Sequence, residues 1–153
     1  MKSNPLFRAG IVLGLGLGGF LDGIVLHQIL GWHHLVCTTE TCQPVSIAGL
    51  QRQIQQDGFF HLGAWLLTLT GIVLLFRSAR EKAWPEAGRV FSSALLVGWG
   101  LFNFVESLID HQILSLHHVR PGHPHTFFFD MLFLASGPLL AGAGWRLARS
   151  VHA

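Results

Sequence analysis

The chain has 153 residues, half of them hydrophobic, and only 12% are Asp, Glu, Lys or Arg. Soluble domains carry about 25% charged residues, so a water-facing globule is excluded and a membrane protein is expected. The formal net charge of +2 leaves no basic face for nucleic acid, and neither a phosphate-binding glycine loop nor a GxSxG elbow occurs. Against this scarcity of charge stand ten histidines, as many as Lys and Arg together.

A membrane-crossing helix needs about 20 mostly apolar residues. Four stretches qualify, at about 6–30, 58–77, 90–114 and 126–146. Met1, Lys2 and Arg8 ahead of the first run resemble a signal peptide, but the run has no convincing cleavage site and three similar segments follow. It is expected to remain as a first span. The predicted fold is all-α: one domain over 1–153, a four-helix transmembrane bundle made of two repeated helical hairpins.

Small residues mark the first span at Gly10, Gly14 and Gly18 and again at Gly19 and Gly23. The third carries Gly98 and Gly100, and the fourth Ala135, Gly137, Ala141, Gly142 and Gly144. Such spacing lets backbones approach closely in lipid. Lys2, Arg8, Arg77, Arg80, Lys82, Arg89, Arg146 and Arg149 fall on one side of the four-span arrangement, and only Arg52 and Arg120 on the other. The positive-inside bias then puts both termini in the cytoplasm of a bacterial inner membrane. The 31–57 and 115–125 loops face outward.

The stretch from Phe20 to His34 repeats at an offset of 84 residues as Phe104 to His118. Asp22 aligns with Glu106, His27 with His111, and His33-His34 with His117-His118. Asp57 and Asp130 each stand near the start of the following span beside paired phenylalanines. The unit is a helical hairpin occurring twice in parallel orientation.

Nearly all ionisable residues of the spans fall in the outer half. A charge at the bilayer centre costs at least about 2.5–3.5 kcal/mol, so groups gathered at one depth must satisfy each other or an ion. On α-helical angles Asp22 and His33 share one stripe, and His27 and His34 share another about 140° away. Glu106, Asp110 and His117 form the equivalent stripe of the third span, with His111 and His118 on the other. Asp57 and His61 share a face of the second. Imidazole with carboxylate suits a transition-metal ion, with carboxylates acting as ligands or as partners of the distal imidazole N–H. The candidate metal residues are His27, His61, His111, His33, His34, His117, His118, Asp22, Asp57, Glu106 and Asp130. Iron, zinc and copper all fit the set.

His123 and His125 are expected to be solvated rather than ligating, and His152 to belong to the tail. Trp32, Trp84 and Trp145 are expected to anchor the chain at the interface. Cys37 and Cys42 lie on the oxidising side, where a local disulfide is the default and a copper-receiving thiol pair the alternative.

Phe20-Leu-Asp22, His27-Gln28, Trp32-His33-His34, Phe102-Asn103, Glu106 and His117-His118-Val-Arg resemble a bacterial family of predicted integral membrane proteins, domain of unknown function 2243. The resemblance spans most of the chain and implies a small four-helix membrane protein with no assigned activity. A loose association of that family with oxidase-assembly genes implies copper or haem handling and an oxidase-assembly partner.

Three functions compete. The first is a metalloprotein with a His/carboxylate centre, dinuclear and open to the periplasm, of oxidoreductase character. The second is metal delivery from the outer face, copper included. The third is a b-type haem protein with axial ligands among His27, His61 and His111. The expected partners are the lipid bilayer and a second copy of the chain, with no nucleic acid.

Overall fold

The computed structural model describes residues 4–36, 46–81 and 86–149. Within them lie four α-helices and no strand: α1 (Pro5–Asp22), α2 (Ile47–Glu81), α3 (Ala87–Glu106) and α4 (Thr126–Arg149). Asn4 caps α1, its side-chain oxygen accepting from the Leu6 and Phe7 amides at 3.0 and 3.3 Å, with Pro5 in the first turn. All four helices are long and apolar enough to cross a membrane.

The helices are not equivalent. The close backbone pairs are α1 with α2, α1 with α3, and α3 with α4, so α1 and α3 form the centre and α2 and α4 the flanks. Half of the most apolar stretch of α1 is buried within the protein, against 11% in α2. The flanking helices accordingly turn large apolar side chains outward, among them Phe59, Leu66, Ile72 and Phe76 in α2 and Phe127, Leu132 and Leu139 in α4. In lipid that face costs nothing, because acyl chains are as apolar as leucine.

Small residues set the central contact. A Cβ at Gly14 would strike the Leu95 carbonyl, and one at Gly98 the Ile11 carbonyl. Gly16 meets Thr68 and Ala64 of α2 in the same way, and Gly100 meets Gly137 and Ala141 of α4. The small-residue spacing thus serves three helix pairs.

Two departures from the expected spans matter. Helix α2 begins at Ile47 rather than near 58, because Ile47, Leu50 and Ile54 alternate with Gln51, Arg52 and Gln55 in helical period. At 1.5 Å per residue its 35 residues reach about 52 Å, well beyond a hydrocarbon core of about 30 Å. Second, α1 and α3 do not continue as α-helix to their outer ends. Each passes into a seven-residue π-helix, Gly23–Ile29 after α1 and Ser107–Ile113 after α3. Both close alike. Leu30 N donates to Val25 O at 2.9 Å and Trp32 N to Leu26 O at 2.9 Å; Leu114 N donates to Ile109 O at 2.8 Å and Leu116 N to Asp110 O at 2.8 Å. Gly31 (φ 56°) and Ser115 (φ 48°) then turn the chain through the left-handed region.

Candidate metal centre

The π-helices build the site. An i→i+5 ladder stacks residues five apart, where an α-helix would turn them onto different stripes. Asp22 and His27 are five apart, as are Glu106 and His111. The separation of about 140° expected from α-helical angles is therefore closed. The turns at Gly31 and Ser115 bring His33 and His117 back over the same place. Two trios result, Asp22–His27–His33 and Glu106–His111–His117, each with its donor atoms within 4.8 Å of one another. All six residues are buried, between 2% and 8% exposed.

The flanking helices supply a second carboxylate to each trio. Asp57 of α2 accepts from His27 Nδ1 (3.1 Å), His34 Nδ1 (2.6 Å), Gln28 Nε2 (3.1 Å) and Leu35 N (2.9 Å). Asp130 of α4 accepts from His118 Nδ1 (2.7 Å) and Val119 N (2.9 Å), and lies 4.0 Å from His111 Nδ1. Ser107 Oγ stands 3.4 Å from the same His111 nitrogen. The halves also cross. His33 Nδ1 donates to Val119 O at 2.8 Å and His117 Nδ1 to Leu35 O at 3.0 Å. Their rings stack with centroids 4.4 Å apart.

These bonds fix the tautomers. A carbonyl only accepts, so His33 and His117 each carry a proton on Nδ1, and His27 Nδ1 faces a carboxylate in the same way. Burial pushes the His33 imidazole down to about 2, so its ring is neutral and Nε2 holds a lone pair. The Nε2 atoms of His27, His111 and His117 meet carboxylates, contacts that a proton or a cation on the nitrogen can satisfy. His27 Nε2 lies 3.2 Å from Asp22 Oδ2, and His111 and His117 Nε2 lie 3.3 and 3.2 Å from Glu106 Oε1. Both Asp22 oxygens, Glu106 Oε2 and the Nε2 atoms of His27, His33 and His111 are buried without a hydrogen-bond partner. Such a convergence of imidazole nitrogens and carboxylate oxygens is satisfied by a proton or by a metal cation between them.

Of the eleven residues singled out from the sequence, six form the trios. Asp57, Asp130, His34 and His118 stand behind them. His61 joins neither trio: its Nδ1 donates to the Asp57 carbonyl of its own helix at 2.7 Å, and its ring lies against Gly23, Phe20 and Phe60. Asp110 is half-buried outside both trios. His123 is half-buried and His125 exposed, and they contact each other, with His125 N donating to His123 Nδ1 at 3.0 Å. Sequence reading missed Gln28, Ser107 and the backbone of Leu35 and Val119. Gln28 had a signal in the His-Gln pair; the backbone groups had none. Cys37, Cys42, Trp84 and His152 lie outside the described residues.

The family described as "Predicted membrane protein (DUF2243)" matches residues 9–151. The chain belongs to this family. No curated protein and no solved structure matches it.

Proposed function

We propose that this membrane protein holds two transition-metal ions, one in each His/carboxylate trio, as a dinuclear centre of oxidoreductase type. The observation that carries the reading is the set of buried imidazole nitrogens and carboxylate oxygens, six of them without a hydrogen-bond partner, converging in two trios. Charge supports the count: in each half one divalent cation balances two buried carboxylates, Asp22 with Asp57 and Glu106 with Asp130. Two imidazoles and one carboxylate per ion, with positions left open, is the donor set of non-haem iron sites that activate oxygen, and zinc also takes it. Asp57 and Asp130 orient the ligands through their distal nitrogens and raise their basicity.

Five of the six pairs among these four rings have centroids 4.4–6.3 Å apart, and buried carboxylates stand among them, a crowded, anionic setting that favours bare ions over bis-His haem. Burial of all six donors supports a resident centre over cargo released at the outer face. Basic residues Arg8, Arg77, Arg80, Arg89, Arg146 and Arg149 at the opposite end support an inner-membrane orientation with cytoplasmic termini and an outward-facing centre. The matched bonds of the two halves support descent from a repeated hairpin.

Elemental analysis with a visible spectrum tests the reading. Two equivalents of metal per chain without a Soret band are expected, falling in His27→Ala and His111→Ala. Purified protein free of transition metal, its trios closed by protons instead, would refute it.

A further inference from the structure

The two trios are laced together through residues that belong to neither. Leu35 donates its N–H to Asp57, which holds His27 of the first trio, and accepts at its carbonyl from His117 of the second. Val119 donates its N–H to Asp130, beside His111 of the second trio, and accepts from His33 of the first. Each crossing segment therefore positions a ligand for both centres. Around the crossing, the His33 and His117 rings stack at an interplanar angle of 9°.

We propose that the two metal sites load with positive cooperativity, because an ion in one trio fixes the crossing segment that presents the remaining trio's ligand. This rests on the dinuclear reading above. The path is contiguous on either side: His27, Asp57, Leu35 and His117 in one direction, and His111, Asp130, Val119 and His33 in the other. Both Leu35 and Val119 lie outside helices, in short segments whose positions depend on these bonds. An ion that orders His27 and Asp57 thus also orders the acceptor of His117, and the second ion no longer supplies that ordering. The sign discriminates. Two divalent cations in a low-dielectric site repel, so electrostatics alone weakens the second step. Only the shared segments strengthen it.

The test is a cobalt(II) titration of the full chain in lipid nanodiscs at fixed pH, followed by visible absorption and bound-metal analysis. Two ions are expected, the second about 5- to 150-fold tighter than the first after statistical correction. His111→Ala should retain one ion at the weaker first-step affinity. Adding Asp130→Asn in that background should weaken this remaining ion further, although Asp130 touches no donor of the first trio. Two ions bound at independent or mutually weakened affinities would overturn the cooperativity while leaving the dinuclear centre standing. No bound cobalt would overturn both. If His111→Ala does not fold, the wild-type isotherm alone decides.

Discussion

Replacing Asp57 by Asn separates the role of a ligand from that of a ligand's support. Asp57 is 1% exposed and accepts four hydrogen bonds, two on each oxygen. Asn retains one accepting oxygen and presents an NH₂ where the other stood. Two of the four donors then face a donor, whichever way the amide is turned. If His27 and Leu35 lose their acceptor, His27 is freed to rotate; if His34 and Gln28 lose theirs, His27 keeps its bond but loses a charged partner. Interhelical hydrogen bonds in membranes average about 0.6 kcal/mol, so two lost bonds cost the fold about 1.2 kcal/mol. Loss of a carboxylate behind a metal-bound His costs about 10- to 100-fold in affinity, or roughly 1.4–2.8 kcal/mol. The affinity effect therefore exceeds the effect on the fold. Cobalt titration and thermal melting of Asp57→Asn in parallel measure both. His34→Ala is the control, removing one partly exposed partner and leaving three bonds. An Asp57→Asn protein that binds two ions at wild-type affinity would refute the supporting role of this carboxylate.

Other substitutions follow from the geometry. Gly98→Ala drives a methyl into the Ile11 carbonyl, a backbone atom that yields only if α1 and α3 separate. A loss of about 1–3 kcal/mol in thermal or denaturant unfolding is expected, whereas Gly142→Ala, with nothing within 4 Å, should be neutral or stabilising. Ser115→Gly relieves a left-handed residue and should stabilise by up to about 1 kcal/mol in the same assay, with metal content unchanged. His61→Gln should leave two ions bound with unchanged affinity, since His61 belongs to neither trio; loss of an ion would place it among the ligands.

The spans were legible because lipid demands long apolar runs, and the donors were legible because charge is scarce and repeats at an offset of 84 residues. The grouping of donors was not. Five-residue spacing means opposite faces on an α-helix and one face on a π-helix, and no propensity distinguishes Gly23–Ile29 from ordinary helix in advance. Gly31 alone hinted at a turn; Ser115, its counterpart, gave no sign of a left-handed backbone. His61 was attractive because an Asp-xxx-His pair shares a face, yet the second carboxylate reaches across to His27 rather than along its own helix. The 47–57 extension of α2 was hidden because its glutamines lower hydropathy while leaving the helical period intact.

Metal removal follows from the same convergence of imidazoles and carboxylates. Without cations, Asp22 and Glu106 are left to protons on the facing imidazoles, to water entry or to separation of the helices, and on the dinuclear reading these hold the fold less well than the ions do. Cations that bind the folded protein and not the unfolded chain stabilise it by mass action, about 2.7 kcal/mol for each site at a free concentration one hundred times its dissociation constant. Two sites then supply about 5.4 kcal/mol. For a chain of this size about 1 kcal/mol moves the melting temperature by roughly 2–4 °C, so chelation should lower it on the order of 10–20 °C. Thermal melting before chelation, after it, and after readdition of the ion measures this. The crossing of His33 and His117 makes the loss steep, since emptying one trio loosens the segment that serves the other. A protein that melts at one temperature with and without chelator, while shown to lose its metal, would mean that the buried acceptors are satisfied by protons and that the cation contributes nothing to the fold.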